Sequence, residues 1–513
     1  MSKLWPSRAR YLALLLSVIV IGCATVDARR DYEQTRGEVE RAIGYSPACD
    51  PEAEDELVDR TVDALLQGGL TSDEAVKLAL LNNPRARSIL LQVGMARADV
   101  VQAGLWSNPT IGFSFNLPTG GGSNQFGMNL AQNIADLWMI PSRSRAANQD
   151  LKITTLTAAQ ELVSLAVDTK VAYYNTLAAD SELAITQDNV SLTQELLRIT
   201  SARLEAGTVG ALDVNLAKGQ ALRAEVAARS ARLESASSRR TLAALLGLTT
   251  LAQEIALCET LPNPVEDDLP VDHFVEVALE SRLDVRTARN SVDAAAARIE
   301  YELAKVFPSV EIGLEAEHQS HRAQSGRKLL ANAARSTIAN GQLTAPDIES
   351  RGQRRIEDSQ RIDAILGPSL SLTLPIFDQN QAQIAKAQMS YLESKALLDG
   401  LQRSIVQHTR EAADRLATAW NVATLYQSEV LPQVRETLEL SQATYQAGQT
   451  TILNVIDAQR SLLEARRANV AALQNAATAV AELERATARP ASVLFQESGM
   501  SNQATTTQPS HGG

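Results

Sequence analysis

From Ser142 to Ala206 the sequence contains neither proline nor glycine and is rich in Ala, Leu, Gln and Glu. Such a palette favours helix, and roughly 64 residues at 1.5 Å per residue extend about 95 Å. No ordinary globular helix reaches that length. The stretch ends in RLEAGTVGALDVNLAKGQALRAE, Arg203 to Glu225, where a glycine interrupts the helical pattern before a second helical run. Nearly the same break recurs as YQAGQTTILNVIDAQRSLLEA, Tyr445 to Ala465.

The recurrence belongs to an internal duplication. Arg87, Ala96, Ala98 and Pro109 align with Arg286, Ala295, Ala297 and Pro308 at a single offset of 199. Gly207 and Asp213 align with Gly448 and Asn454 at an offset of 241, so the second copy gains residues between Pro308 and Gly448. Repetition at this scale marks a duplicated supersecondary unit. Each copy reads helix, strand pair, very long helix, glycine turn, helix. In the first, Leu70 to Leu105 is expected to be helical up to Asn108-Pro109. TIGFSFNL then places Ile111, Phe113, Phe115 and Leu117 on one face, and QFGMNLAQNI does the same with Phe126, Met128 and Leu130. In the second, Val310, Ile312 and Leu314 share a face, as do Leu370, Leu372 and Leu374. A helix from about Gln379 to Ala447 follows, which Pro432 is expected to kink or break.

The N-terminus indicates the compartment. Lys3, Arg8 and Arg10 precede a short apolar run, Tyr11 to Ile21, too short to span a bilayer as a mature helix and therefore read as a signal peptide. It ends in Val20-Ile21-Gly22-Cys23, which resembles a bacterial lipobox and implies a covalent lipid on Cys23; a signal peptide with a chance cysteine is the alternative. Ala24 rather than Asp follows, which implies sorting to the outer membrane. Cys49 and Cys258 would lie in an oxidising compartment, either as a disulfide or as two isolated thiols. The net charge of −12 and pI near 5.1 disfavour nucleic acid as a partner.

The expected domain plan is a signal peptide (1–22), a lipid-anchored segment with a short helix (23–69) and repeat one (70–248, strands about 109–134, turn near 207). A proline-rich linker (249–270) leads to repeat two (271–489), with strands about 308–317 and 368–376, a loop of 320–367 between them and a turn near 448. A disordered tail (490–513) closes the chain. Four strands with apolar stripes expose open edges and cannot close a barrel alone. A bilayer tolerates only closed barrels, so several chains must combine, and three give about 12 strands. Trp106 and Trp138 flank the first strand pair, Phe307 and Phe377 the second; they suit an interfacial belt or packing at the strand–helix junctions. The helices are alanine-heavy rather than built on Leu/Ile heptads, so each is expected to touch two neighbours around a hollow cylinder. The expected fold is mainly α with a small β part. Duplicated long α-helical hairpins form a trimeric α-barrel, and four transmembrane β-strands per chain complete a 12-stranded trimeric β-barrel.

From Leu70 to Ala488 the duplicated copies, the strand pairs and two G-x-x-x-x-L-[DN]-V turns resemble the outer-membrane efflux protein family, the TolC-like exit ducts. The lipobox further resembles the lipidated subgroup that serves resistance-nodulation-division pumps. The resemblance implies a homotrimer in the outer membrane with a long periplasmic extension. It implies a passive conduit, not an enzyme, opened by a periplasmic adaptor protein and an inner-membrane pump, with outer-membrane lipid around it and no cofactor beyond the lipid on Cys23. Gly207 and Gly448 would be the periplasmic tips. Tyr445 matches a tyrosine of the family's closing network and Asp213 its aspartate partner; the network's arginine falls at Thr450, so that link is missing. Of two entrance aspartates one turn apart, Asp457 matches and the other is Asn454. Three Asp457 carboxylates would focus cations; alternatively Asp457 is a solvated residue near a helix N-terminus.

Between the second pair of strands, Ser320 to Gly367 replaces a short loop, and its Arg322, Arg327 and Lys328 would meet lipopolysaccharide phosphates, cap the mouth or remain solvated. His318 and His321 are the only close histidine pair and fall short of a zinc ligand set. The methionines are scattered, and phosphate-binding, G-x-S-x-G and H-E-x-x-H patterns are absent, so neither a metal site nor catalytic residues are expected. A periplasmic adaptor would carry one hairpin between compact β domains, and a lipid-anchored coiled coil without a pore leaves the alternating strands unexplained.

Overall fold

The computed structural model describes residues 24–45, 55–66, 68–117, 125–248, 255–264, 269–320, 337–341 and 362–497. Cys23, Cys49, His321 and most of the 320–367 insert lie outside them. Helices α1 (Arg29–Ile43), α2 (Asp55–Leu66), α3 (Ser72–Asn82) and α4 (Pro84–Gly104) precede strands β1 (Thr110–Asn116) and β2 (Gln125–Asn133). Helix α5 (Asp136–Glu205) is 70 residues long, about 105 Å at 1.5 Å per residue, and turns into α6 (Ala211–Leu245). The second half runs α7 (Val271–Ser281), α8 (Leu283–Ala304), β3 (Ser309–Ser320), β4 (Ile362–Thr373), α9 (Gln381–Leu425), α10 (Leu431–Gln446), α11 (Ile452–Thr487) and α12 (Ala491–Glu497). Helices α3 and α4 and strand β1 each begin 199 residues before α7, α8 and β3. The end of α5 and the start of α6 recur 241 residues later at the end of α10 and the start of α11.

The chain divides into two units. The first comprises residues 1–99, 149–294 and 392–513. Its helices are tied by pairs that cross the duplication: Lys170 on α5 to Glu484 on α11 at 2.9 Å, Arg485 to Asp168 at 2.6 Å, and Gln474 Nε2 donating to Asn175 Oδ1 at 2.7 Å. Within the first hairpin, Arg239 on α6 forks onto Asp180 on α5. Ala217, Ala224 and Ala231 on α6 are buried seven residues apart, and so are their counterparts Ala458, Ala465 and Ala472 on α11. A methyl group is the smallest side chain that lets helix backbones approach closely, and a seven-residue spacing keeps that stripe on one seam of a supercoil.

The N-terminal segment holds two helices rather than one. On α1, Asp31 accepts a fork from Arg97 of α4, and Glu38, only 3% exposed, accepts one from Arg286 of α8. One short helix is thus clamped to both copies. Burial works to raise the Glu38 carboxyl, but hydrogen bonds and charge from Arg286, then Arg41, outweigh it and hold it below the usual carboxylate range. The linker also packs: Leu70 bridges Leu257 in parallel, and Ile255 joins the core around Tyr173 and Leu242. Cys258 is a free, exposed cysteine.

Two local expectations need correction and one is refined. Leu70 to Leu105 is not one helix, because Pro84 starts a new one and Asn83 serves the break, its Oδ1 accepting from Arg85 N and its Nδ2 donating to Leu245 O. The interruption expected at Pro432 takes the form of a π-turn at Tyr426–Val430, which relieves the clash between the ring and the preceding turn. The tail expected to be disordered from 490 begins with α12, whose Leu494 and Phe495 are buried against Trp420, Phe274 and Leu483.

The second unit comprises residues 100–148 and 295–391. It is a four-stranded antiparallel sheet in the order β1-β2-β3-β4. Strand β4 begins at Ile362, six residues before the expected start. Pro368, opposite Leu314, lies inside β4, an edge strand of this sheet, where a missing N–H is tolerated. The register lines up apolar side chains in rows: Ile111, Leu130, Leu314 and Pro368 in one, Phe113, Met128, Ala316 and Leu366 in the next. All but the half-buried Ala316 are exposed, Phe113 by 69% and Leu366 by 75%. The opposite face carries Ser114, Asn129, Glu311, Glu315 and Ser371. Buried carboxylates brace the feet of the strands. Asp136 accepts from Ser107 N at 2.7 Å, and Glu302 accepts from Asn380 Nδ2 and Lys305 Nζ.

Candidate functional site at the paired hairpin turns

Both glycine turns are built alike. Gly207 (φ +73°) and Gly448 (φ +74°) occupy the left-handed region that ends a helix without a Cβ penalty. Thr208 N donates to Arg203 O and Gly207 N to Leu204 O, each at 2.9 Å. Gln449 N to Thr444 O and Gly448 N to Tyr445 O repeat the pattern 241 residues on. These are the nested bonds of a Schellman turn, and they leave the following helices starting at Ala211 and Ile452.

The tips share a small apolar cluster of Leu196, Ala217, Tyr445, Ile452 and Val455. Tyr445, 4% exposed, is held on three sides by the first hairpin. Arg203 Nη1 donates to the Tyr445 carbonyl at 2.6 Å. The guanidinium stacks 4.7 Å from the centre of the Tyr445 ring. The phenol oxygen lies 3.4 Å from Thr200 Oγ1.

The expected closing pair of Tyr445 with Asp213 does not form within the chain. Asp213 stands half-buried in the first turn of α6, and the Tyr445 hydroxyl is directed to Thr200 instead. Asn454 is exposed and donates to Thr450 Oγ1 at 2.5 Å. Asp457 is exposed on α11. Arg460, three residues on, is held above its ordinary value first by its hydrogen bond to Glu464 and also by the charges of Glu464 and Asp457. Arg203 was not anticipated, because nothing in its sequence context distinguishes it from other helix-surface arginines; the only signal is its place one turn before Gly207.

At the feet of the sheet, Trp106, Phe307 and Phe377 are exposed, Phe377 by 93%. Trp138 differs. It lies in the first turn of α5, half-buried, with its indole N–H unpaired. His318 is exposed on β3, and no group of residues fit to hold a metal occurs among the described residues. No described helix is long and apolar enough to cross a membrane.

The sequence pattern of the outer membrane efflux proteins matches residues 75–248 and 274–489, one match for each copy. The chain belongs to that family. It is 25% identical over 406 residues to "Outer membrane protein TolC" of Escherichia coli (strain K12), covering 76% of each chain. It is 23% identical over 443 residues to "Nodulation protein T" of Rhizobium leguminosarum bv. viciae, covering 82% of this chain and 81% of the relative. Among solved structures, the CmeC outer membrane channel of Campylobacter jejuni superposes with a TM-score of 0.63 at 18% identity, covering 81% of this chain and 85% of the other. An outer membrane efflux protein accounts for both unusual features of the chain, the exposed apolar sheet and the hairpins too long for a globular core.

Proposed function

We propose that three copies of this efflux protein close a 12-stranded barrel in the outer membrane and a helical cylinder below it. Together they form the passive exit duct of a tripartite system. The observation that carries this reading is the sheet: a continuous exposed apolar face, a polar opposite face, and two edge strands, β1 and β4, without strand partners among the described residues. In lipid an open edge strands several backbone groups, each costing several kcal/mol, so β4 of one chain must pair with β1 of the next. Helix α6 supports the same assembly, since Leu222, Val226 and Leu233 lie exposed along it. The polar face then lines the pore, and cargo enters at the hairpin turns, where a periplasmic adaptor and an inner-membrane resistance-nodulation-division pump engage it. A lipid on Cys23 anchors each chain, and the chain itself performs no chemistry.

Membrane fractionation with gel electrophoresis of heated and unheated samples tests the assembly. A trimer in the outer membrane that dissociates on heating supports the duct; a soluble or inner-membrane monomer overturns it. Labelled palmitate should be incorporated by the natural chain and lost on Cys23→Ala. Deletion followed by growth on a panel of metal cations and drugs identifies the cargo.

A further inference from the structure

The long helices of the two hairpins are not equivalent. At the 241 offset Ser191 stands where Pro432 does, and α5 runs through residues 185–189 without interruption, whereas the second hairpin widens into its π-turn at Tyr426–Val430. We infer that the linker between the copies is a strap across this joint: Leu261 and Asn263 are positioning residues that hold the π-turn and limit how far the rest of the second hairpin swings. This rests on the duct reading and adds a control point about 30 Å along the helix from the turn at Gly448.

Two observations make the π-turn a joint. Leu431 N donates to Tyr426 O, five residues back, and Pro432 has no N–H for the carbonyl four residues before it, so the ladder is locally widened. Burial also changes there. Before the joint, Ile405, Thr409, Ala413, Leu416, Trp420 and Ala423 are buried at intervals of three or four residues, a full helical stripe. None of Tyr426–Val430 is buried. After it, α10 buries only Leu431, Leu438 and Tyr445, seven residues apart, which is a single seam. A helix held along one seam beyond a widened turn bends at that turn.

The linker is placed to brace this joint from the first copy. Its first residues are fastened there: Leu70 N donates to Ala256 O at 2.8 Å, Cys258 N to Leu70 O at 3.1 Å, and Arg239 Nη1 to Ile255 O at 2.6 Å. Leu261 then packs against two cores at once. One is the copy-one core around Tyr173 and Leu242; the other is the cluster of Ala423, Ala472 and Leu473, which Tyr426 also joins. Two residues on, Asn263 Oδ1 accepts from Gln427 Nε2 at 3.3 Å. Pro262 and Pro264 fix the backbone on either side of Asn263, so the strap is stiff where it meets the π-turn. Helix α11 reaches the first hairpin directly, Arg467 pairing with Glu182 at 3.2 Å and Arg466 with Asp188 at 3.8 Å. The contacts of Tyr426 and Gln427 described above run through the linker instead.

Leu261→Ala, Leu261→Met, Asn263→Ala, Gln427→Ala and the Asn263→Ala/Gln427→Ala pair test the strap in the full-length protein, with the exposed Thr260→Ala as control. Purified trimers are read by hydrogen exchange over residues 424–434 and 183–193, by fraction of time open in planar bilayers, and by heat-dissociation temperature. In the natural protein the first window should exchange faster than the second. Leu261→Ala should speed exchange over 424–434 by roughly tenfold, leave 183–193 unchanged and raise open occupancy by roughly fivefold or more, with dissociation unchanged. Leu261→Met should behave as the natural protein does, and so should Thr260→Ala. Asn263→Ala and Gln427→Ala should each raise exchange and open occupancy by about two- to fivefold, and the pair no further than either alone, because each acts through the other. These variants serve if Leu261→Ala assembles poorly. Intact Leu261→Ala or Asn263→Ala trimers whose exchange and gating match the natural protein overturn the strap. So does faster exchange, local or throughout the copy-one core, without a change in gating, which would assign Leu261 to packing alone. A gating change confined to variants that also dissociate at lower temperature overturns it too. A natural protein that forms no channel overturns the duct reading itself, while the two exchange windows still report on the strap.

Discussion

Two adjacent residues of β1 separate the membrane reading from any other use of the sheet. Phe113 is the fourth of seven residues in the strand, flanked on its face by Ile111 and Phe115, with its ring centre 6.4 Å from that of Phe126. Arginine there enters lipid near mid-depth, which costs about 2–4 kcal/mol in an outer-membrane barrel. Losing the phenylalanine from its apolar surroundings adds about 1.5–3 kcal/mol. Per chain that is about 4–7 kcal/mol, and three chains bring a total comparable to the whole stability of a typical domain, about 5–15 kcal/mol. Ser114 points to the other face, opposite Gly127, where a side chain extends into the aqueous pore. Arginine at 114 avoids the lipid penalty, because lumen-face substitutions alter conduction rather than stability, and should narrow the pore instead. The assay is the amount of heat-dissociable trimer in outer membranes, with its dissociation temperature, followed by conductance. Phe113→Arg should abolish the trimer; Ser114→Arg should leave it assembled with lowered conductance. If Ser114→Arg abolishes assembly and Phe113→Arg is tolerated, the lipid and pore faces have been exchanged. Equal effects would mean the sheet does not divide lipid from water.

Glu38→Gln removes the fork to Arg286 and, because Arg286 is about one-third exposed, should loosen α1 by about 1–3 kcal/mol, read as faster hydrogen exchange over residues 29–43. The Glu38 carboxyl is held low, so its contribution is present above the ordinary carboxylate value and fades as pH falls through the lowered one. Acidification through that window should therefore speed exchange in the natural protein and not in Glu38→Gln. Asp457→Asn should move the ratio of potassium to chloride permeability toward unity, measured by reversal potential, without changing trimer stability; Asn454→Asp should move it the other way. Gly247→Ala should cost about 2–3 kcal/mol, read as a lower dissociation temperature. Its φ is +70°, and a Cβ would stand 2.6 Å from the Asn82 carbonyl oxygen, displacing the bond from Asn82 Nδ2 to Gly247 O.

The parts of the fold that follow from local pattern were legible. Alternation at period two placed Ile111 with Phe113, and Ile312 with Leu314, on one face of their own strands, and the glycines at 207 and 448 marked the two turns. The first half of β4, Ile362 to Gly367, was not read as strand, and the interruption expected at Pro432 takes the form of a π-turn at Tyr426–Val430. The pairing of the two turns was legible in the sequence, the contacts made there were not. Tyr445 stands where expected, but its contacts are Arg203 and Thr200 rather than Asp213.

The sequence by itself determined the duplication, the great length of α5, the sites of reversal and which residues of a strand share a face. Each of these depends on residue spacing along one stretch of backbone or on one register repeated at 199 and 241. Only the tertiary structure decided which charged side chains meet. Arg203 and Tyr445 are 242 residues apart, Glu38 and Arg286 are 248 apart, and Lys170 and Glu484 are 314 apart. A surface arginine on a helix has the same local sequence whether it faces water or a neighbouring hairpin. Its partner exists only once the two hairpins lie side by side, and that packing is set by the summed burial of alanine stripes rather than by any single residue.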